Sequence, residues 1–592
     1  MIERMHNVTV VCLGKDREDT VRQLQALGTL HVVNIEAQTG EPTAEAQRLI
    51  ERYGAAISHL QARKAQSSSE LPAATGEEHL AAVEHAFAAI ADAQEHENAC
   101  HRELARLVPW GSFAIEDVDR LHEAGYQMVL SEAKADALPE LPEGAVLQEI
   151  SRTGNIVYFA VIAPADIKLS LHVIPLPEHT DAQKLKTEIQ TAEQQIADAE
   201  GKLDHLVAAL PTLIEARDQA GDELAFLKAS DGMAEGEQLA WLQGYVPERD
   251  LGKLTEAAST IGWALRHTAA DRDDPNVPTF IDYDRFGIFR MAKPLFDFIG
   301  ISPAYNENDV SICVLLFLTL FFGMIIGDAA YGAIFLGIGL YARAKITDPK
   351  KRVAISLFIL LSSTAFIWGA LNGTWFAIPI EKLPRLMQGF SWFYDEAVGQ
   401  KHIQWLCFLI AGLHLSLGRA WKAWVQRDRA ALGHIGWGLF IWGNFFTAVE
   451  LVVTKGSFPM VIGGALYGVG TVLILVFGVK WKDVGEVLNL PFGFINSFVD
   501  VLSYIRLFAV GLSSLYIARS FNDMGGMVLE LSPWLFPGAA LVVLFGHLLN
   551  IALGFMGVLV HGIRLNTLEF SNHMELTWSG KPYRPLRKAE SN

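Results

Sequence analysis

The distribution of apolar positions divides the chain in two. Up to about residue 300 the sequence is rich in Glu, Asp, Lys, Gln and Ala, and beyond residue 310 it becomes a series of apolar blocks separated by short polar loops. A membrane helix needs about 20 apolar residues. Segments long enough to serve lie at 311–327, 329–345, 353–372, 402–422, 434–453, 459–479, 490–521 and 534–568, eight in all, the first pair separated only by the tight "IIGDAAYG" turn. As one continuous helix, 490–521 would be roughly 48 Å long against a hydrocarbon core of ~30 Å, so tilt, a bend or protruding ends are expected.

The first half reads as α+β. "VTVVCLG" (8–14), "REDTVRQLQALG" (17–28) and "TLHVVNI" (29–35) form a strand–helix–strand trio, and "LAWLQGYV" (239–246), "ERDLGKLTEAASTIG" (248–262) and "WALRHTAA" (263–270) form a second. Two such units predict a ferredoxin-like lobe assembled from both ends of the soluble region, over 1–40 plus 231–275. Between them a coiled-coil seam returns over 179–230: Leu185, Ile189, Ala192, Ile196, Ala199, Leu203, Leu206, Leu210, Leu213, Ala220, Leu224 and Leu227 alternate steps of four and three, with one beat missed at Arg217. Pro211 should kink this arm. The outgoing arm (41–108) keeps the rhythm at Ala46, Ile50, Tyr53, Ile57 and Leu60, is interrupted by "AQSSSELPAATG", and resumes at Leu80, Val83, Phe87 and Ile90. Residues 109–178 carry the strand-like runs "YQMVLSE" and "IVYFAVIA" and form a distal α+β lobe. The expected fold is therefore multi-domain: a soluble dumbbell of two lobes joined by an antiparallel coiled coil, a linker at 276–310, a membrane domain at 311–571 and a tail at 572–592.

Charge adds orientation. Arg343, Lys345, Lys350, Lys351 and Arg352 share one predicted loop, Arg419, Lys422, Arg427 and Arg429 another, Lys480 and Lys482 a third, and Lys581, Arg584, Arg587 and Lys588 the tail. With eight spans all fall on the side of the soluble half, so both termini are expected in the cytoplasm. The formal charge of −18 and the lack of a basic domain argue against a nucleic-acid partner. The four cysteines, Cys12, Cys100, Cys313 and Cys407, form no CxxC pair, and the expectation is of small buried or lipid-facing thiols, with no metal or cofactor. No GxxxxGK[ST] motif occurs, so any ATP that powers the protein is hydrolysed on another chain, and this chain is read as non-catalytic.

The unusual chemistry lies in the last two apolar segments. Arg506 stands in the middle of "VDVLSYIRLFAVGLSSLYIA", where a cation costs between ~2.5 and ~17 kcal/mol. Asn496, Ser503 and Ser513 lie within a quarter-turn of it on a helical wheel. In the final segment His547, Asn550, Gly554, Gly557, His561 and Arg564 alternate steps of three and four, which puts them on one face. An arginine stays protonated and cannot carry a proton, but it can attract a carboxylate and keep it charged. Glu450 is a candidate channel-lining acid or packing partner, Asp500 another packing partner, and Asp328 a turn or cap residue. Arg519 lies near the outer end, within reach of the interface.

With these residues in view, the chain resembles subunit I of V/A-type rotary ATPases and ATP synthases, the homologue of V-ATPase subunit a. "SYIRLFAVGLSS" matches the signature around the family's membrane arginine, and "LVHGIRLNTLEFSNHM" the last-helix signature with its second arginine and a following Glu. "LFFGMIIGDAAYG" resembles the first-hairpin motif, "GYVPE" the end of the soluble arm and "SPAYNENDVS" the entry to the membrane domain. Ser514 and Gly554 stand where some family members carry a histidine and a glutamate. The resemblance implies a prokaryotic-membrane stator subunit, with peripheral-stalk subunits of the E/G type on its soluble domain. A central-stalk subunit of the d/C type, a rotating ring of proteolipids (c/K subunits) and, indirectly, the ATPase head would complete its partners, beside membrane lipid. Arg506 and Arg564 would sit between two ion half-channels for H⁺ or Na⁺, with Glu569, His561, His547, Glu450, Ser503 and Ser513 as further candidates on the ion path. The rival reading is a secondary ion transporter with a cytoplasmic coiled-coil regulatory domain. Such a protein would usually show internal repeats or interrupted helices around a midplane site, and no such symmetry is visible in the sequence.

Overall fold

The computed structural model describes all residues except 1, 34–39, 64–73, 112–114, 137, 140, 170, 175–181, 284–286, 396–397, 457–459 and 589–592. The elements of the first half are β1 (Met5–Leu13), α1 (Arg17–Leu27), β2 (His31–Val33), α2 (Glu41–Gln61), α3 (Gly76–Leu107), α4 (Ile115–Glu123), β3 (Tyr126–Lys134), β4 (Val146–Thr153), β5 (Ile156–Pro164), α5 (Ala182–Leu206), α6 (Leu210–Asp231), β6 (Ala234–Glu235), β7 (Leu239–Pro247), α7 (Glu248–Ile261) and β8 (Ala264–Ala269). Those of the second half are β9 (Pro278–Thr279), α8 (Lys293–Ile299), α9 (Ser311–Ile326), α10 (Ala329–Lys345), α11 (Pro349–Asn372), α12 (Ser391–Tyr394), α13 (Gly399–Gln426), α14 (Ala431–Val449), α15 (Met460–Leu473), α16 (Val484–Ser503), α17 (Ile505–Leu531), α18 (Phe536–Gly557), α19 (Ser571–Met574) and β10 (Lys581–Pro582). Two compact units result: Val10–Gln243 with Gly262–Ala264 and Leu586–Asn592, and Met1–Thr9 with Gly244–Ile261 and Leu265–Pro585.

The strand order β2-β7-β1-β8, with β6 on β7, interleaves the two strand–helix–strand units in the ferredoxin-like manner. A separate antiparallel sheet has the order β3-β5-β4, and a bulge between Glu149 and Ser151 shifts its β4–β5 register. In the same unit α3 lies along α5 and α2 along α6. Tyr53, Ile57, Leu60, Leu80, Val83, Leu203 and Leu213 bury their side chains in the shared seam, each contributing about 1.5–3 kcal/mol. Helix α3 begins at a reciprocal cap: the Thr75 hydroxyl accepts from the Glu78 amide (3.3 Å) and the Glu78 carboxylate from the Thr75 amide (2.7 Å). Most of the interrupting "AQSSSELPAATG" run lies outside the described residues. The returning arm is divided by a 3₁₀ turn at Val207–Ala209, and Pro211 falls in the first turn of α6, where its missing N–H leaves no bond unmade.

Among the described residues of the other unit, six helical runs are long and apolar enough to cross a bilayer: Pro349–Asn372, Gly399–Gln426, Ala431–Thr454, Val461–Gly478, Val484–Leu531 and Pro533–Met574. That is two fewer than the apolar pattern predicts. The missing pair are α9 and α10, of 16 and 17 residues, roughly 24–26 Å of helix. Asp328 caps α10, its Oδ1 accepting from the amides of Ala330 (2.8 Å) and Tyr331 (3.2 Å). α10 packs on α11 through glycines: a Cβ at Gly332 would lie 2.3 Å from the Phe366 nitrogen, and one at Gly369 would lie 2.0 Å from that of Ala329. Arg419 and Lys422, expected in a loop, belong to the closing turns of α13, and the chain leaves that helix only at Arg427.

Candidate functional site

The 48-residue run Val484–Leu531 is not one rod. Its helix is interrupted at Tyr504, where the Tyr504 amide bonds Val501 O (3.3 Å) and the Leu507 amide bonds Tyr504 O (3.1 Å), both three residues back. This tight turn leaves the Ser503 carbonyl without Leu507, and Arg506 Nε donates to it at 3.0 Å. Tyr504 is fully buried; its hydroxyl meets His414 Nδ1 at 2.7 Å, and the His414 ring is stacked between Phe317 and Phe570. The irregular turn therefore falls next to the arginine, and its tyrosine is held by an aromatic stack.

The last run is irregular as well. After α18 come two π turns, Val558–Gly562 and Leu565–Phe570, on either side of Ile563 and Arg564. In an α-helix, residues five apart point in different directions, but a π turn bonds i to i+5 and brings them together. Arg564 Nε thus comes within 3.5 Å of Glu569 Oε1. The same oxygen accepts from Arg506 Nη2 at 2.8 Å. Glu569 is buried with its side chain 5% exposed, whereas the side chains of Arg506 and Arg564 are 24% and 53% exposed. Its Oε2 has no hydrogen-bond partner among the described residues. Two permanent cations share one carboxylate, which leaves the trio with one uncompensated positive charge if Glu569 is ionised.

The other predicted residues are distributed elsewhere. Ser503 is buried and its hydroxyl returns to Asp500 O (2.8 Å); Ser513 is exposed and bonds Ala509 O (2.8 Å). His561 stands in the first π turn, half-buried, with Nδ1 unpartnered among the described residues. His547 belongs to a different cluster: its Nδ1 meets Tyr331 Oη at 2.6 Å and its Nε2 meets Asn522 Oδ1 at 3.1 Å, while Asn550 donates to the same tyrosine (3.2 Å). Glu450 opens a π turn at the end of α14, where Thr454 donates to it at 3.0 Å.

Two features were not read from the sequence. The first is a charged network on α13, α16 and the chain around α19. Asp500 Oδ2 lies 3.2 Å from His573 Nε2, and His573 Nδ1 accepts from Arg419 (3.2 Å). Arg419 and Lys422 each lie 3.2 Å from a Glu575 oxygen. Burial opposes ionisation of Glu575, but Arg419 and Lys422 hold its carboxyl below the usual range. The signal available was Arg419 itself, seven residues before the end of its helix and too deep for a loop charge. The second feature is a cavity of about 770 Å³ lined by one face of α17 from Leu507 to Arg519, together with Asn372, Glu381, Asp395 and Gln400. Arg519 thus lines a cavity, a placement its predicted reach to the interface did not include.

A membrane protein with six candidate spans, an α+β soluble region and an arginine pair sharing one glutamate between its two longest spans is the class defined by this geometry. No family model matches the chain. The V-type ATP synthase subunit I of Borreliella burgdorferi is 29% identical over 624 residues, covering 99% of this chain and 100% of the relative. The V-type ATP synthase subunit I 1 of Treponema pallidum is 29% identical over 634 residues, with the same coverage. The A-type ATP synthase subunit I of Pyrococcus abyssi is 26% identical over 361 residues, 56% of this chain and 51% of that protein. A solved cytoplasmic N-terminal domain of subunit I, the homologue of V-ATPase subunit a, aligns with 44% of the chain at 14% identity, but its TM-score of 0.23 is too low to assign a fold. The chain is thus similar to V-type ATP synthase subunit I over nearly its whole length, and to A-type subunit I over 56% of it.

Proposed function

We propose that the chain is the stator subunit of a rotary V/A-type ATPase or ATP synthase and forms the ion path against a ring of proteolipids. The observation that carries this reading is the pair Arg506 and Arg564 on a single buried Glu569. One carboxylate offsets only one of two guanidiniums, so an incoming ring carboxylate meets a partly exposed cation and is drawn into its charged form, releasing its ion. The Ser503 carbonyl and Glu569 position Arg506 from both sides, so its guanidinium is pre-set for the passing carboxylate. The fixed cations also oppose a direct leak of cations past the ring.

The cavity lined by α17, Glu381 and Asp395 is the proposed outer access route, and it runs along the helix that begins next to Arg506. His561, one turn before Arg564, is a proposed inner-path residue. In this reading the soluble helical arms serve as the tether to peripheral stalk subunits, and the soluble domain and C-terminus face the cytoplasm. ATP is hydrolysed or made on other chains.

The test is Arg506→Gln in the intact complex. ATP-driven ion uptake into vesicles is expected to fall by on the order of 100-fold or more, while the purified complex retains all its subunits. Uptake at the normal rate by an assembled variant would falsify the proposal.

A further inference from the structure

We propose that His96, Cys100 and Glu188 form a zinc site that staples α3 to α5 in the soluble unit. His96 and Cys100 are four residues apart on α3 and share a face, and Glu188 faces them from α5. The thiol sulfur lies 3.7 Å from His96 Nε2 and 3.5 Å from Glu188 Oε2, and these last two are 3.9 Å apart. Tetrahedral zinc with sulfur at about 2.3 Å and nitrogen or oxygen at about 2.0–2.1 Å has edges of roughly 3.3–3.6 Å, so the three donors already outline one face of the tetrahedron. The longest edge joins the two side chains freest to adjust, His96 and Glu188, which are 57% and 45% exposed.

Their exposure gives a metal ion its way in and leaves water for the fourth position. Cys100 is 4% exposed and borders an apolar cluster of Leu104, Leu107, Leu185 and Ile189, which holds the two helices together without help from a metal. The donor set is selective. A thiolate, an imidazole and a carboxylate suit zinc, whereas calcium and magnesium take oxygen ligands. A buried thiol beside a carboxylate is a poor thiolate by itself: burial and Glu188 push the Cys100 thiol up. A divalent cation between them reverses the sign of that interaction, deprotonating the thiol while attracting the acid. Cys12, Cys313 and Cys407 are also buried, but no comparable group of three donors includes them among the described residues. The proposal gives Cys100, alone among the four buried thiols, a metal-binding role that the sequence reading did not include. This inference does not rest on the transport reading.

The probe is Co²⁺, followed by Zn²⁺ competition, on the full-length protein in detergent after chelator treatment and dialysis. The wild type is expected to bind one equivalent, with a thiolate-to-cobalt charge-transfer band and strong tetrahedral d–d absorption, both removed by Zn²⁺. Cys100→Ser should abolish the charge-transfer band. His96→Gln, on an exposed face and therefore tolerated by the fold, should weaken binding by more than about 100-fold, beyond the usual cost of losing a residue that only supports a ligand. Saturating Zn²⁺ should raise the melting temperature of the wild type and leave that of His96→Gln unmoved. Absence of stoichiometric Co²⁺ binding by the wild type overturns the site. So does an unchanged band or affinity in either variant, which would place the metal on another cysteine or show adventitious binding only.

Discussion

Two clusters in the membrane unit use the same residue types to opposite ends. Around Glu569, two arginines converge on one acid and remain 24% and 53% exposed. Around Arg419, two cations (Arg419 and Lys422) meet Glu575 directly, Arg419 reaches a second acid, Asp500, through His573, and the Arg419 side chain is 12% exposed. The second set balances its own charge around an arginine half as exposed as Arg506. The first carries a surplus cation and is open. Buried charge that is matched in place consolidates packing, whereas buried charge left in excess attracts an anion from outside. What separates them is the charge count and the access, and neither follows from the presence of an arginine in an apolar segment.

The comparison predicts different failures. Arg506→Gln, with the largest effect, should remove ion transport and leave the complex assembled. Arg419→Gln should do the reverse: it leaves Glu575 to Lys422 alone and takes the donor from His573, costs about 1.5–3 kcal/mol of stability, and lowers the yield of intact complex, while the complex that does form pumps at near-normal rate per assembled unit. Assembly and transport lost together in both variants would erase the distinction. Arg564→Gln removes only the more exposed, longer contact, and its expected cost is about fivefold in transport rate, the worth of an exposed ion pair of about 1 kcal/mol. That is measured by initial uptake rates against the Arg506 variant.

The smallest effect lies outside the membrane. The Tyr245 hydroxyl donates to Asp274 Oδ2 at 3.0 Å; burial and this bond push the tyrosine up to about 12, and the Asn276 amide, with Tyr245, holds the Asp274 carboxyl below its ordinary value. A depressed acid stabilises above its unfolded pKa and loses that contribution as pH falls through the folded one. The melting temperature of Tyr245→Phe should therefore lie slightly below wild type at pH 7, and the difference should narrow as the medium is acidified below the usual carboxylate range. A gap that stays constant in acid would assign the effect to packing.

Much of the architecture was legible from periodicity. The step-of-three-and-four seam of the return arm is buried at Leu185, Ile189, Ala192, Ala199, Leu203, Leu206, Leu213 and Leu224, because burial of an apolar stripe is a local consequence of helical pitch. The two strand–helix–strand units and the six longer spans were legible for the same reason. The irregular turns were not. A helical wheel assumes 3.6 residues per turn, and both long runs violate it: a tight turn at Tyr504 changes the phase between Ser503 and Arg506, and π turns change it after Gly557. The wheel therefore grouped His547 with Arg564, whereas the structure gives His547 to Tyr331 and Asn522. The count of loop charges likewise put Arg419 in a loop although the apolar block 402–422 contains it; its helix continues to Gln426, and its acidic partner Glu575 is distant in sequence.

By itself, the sequence determined that this chain would put cations into apolar helices, and which residues they are, because composition and pitch are local properties. The tertiary structure decided their partners. Glu569 lies 63 residues from Arg506 in the chain, and only the tight turn beside one and the π turn beneath the other bring Nη2 within 2.8 Å of Oε1. Whether a buried charge is matched or left in surplus depends on which charged groups packing brings close together rather than on residue type, since Coulomb energy falls with distance and sequence separation does not report distance.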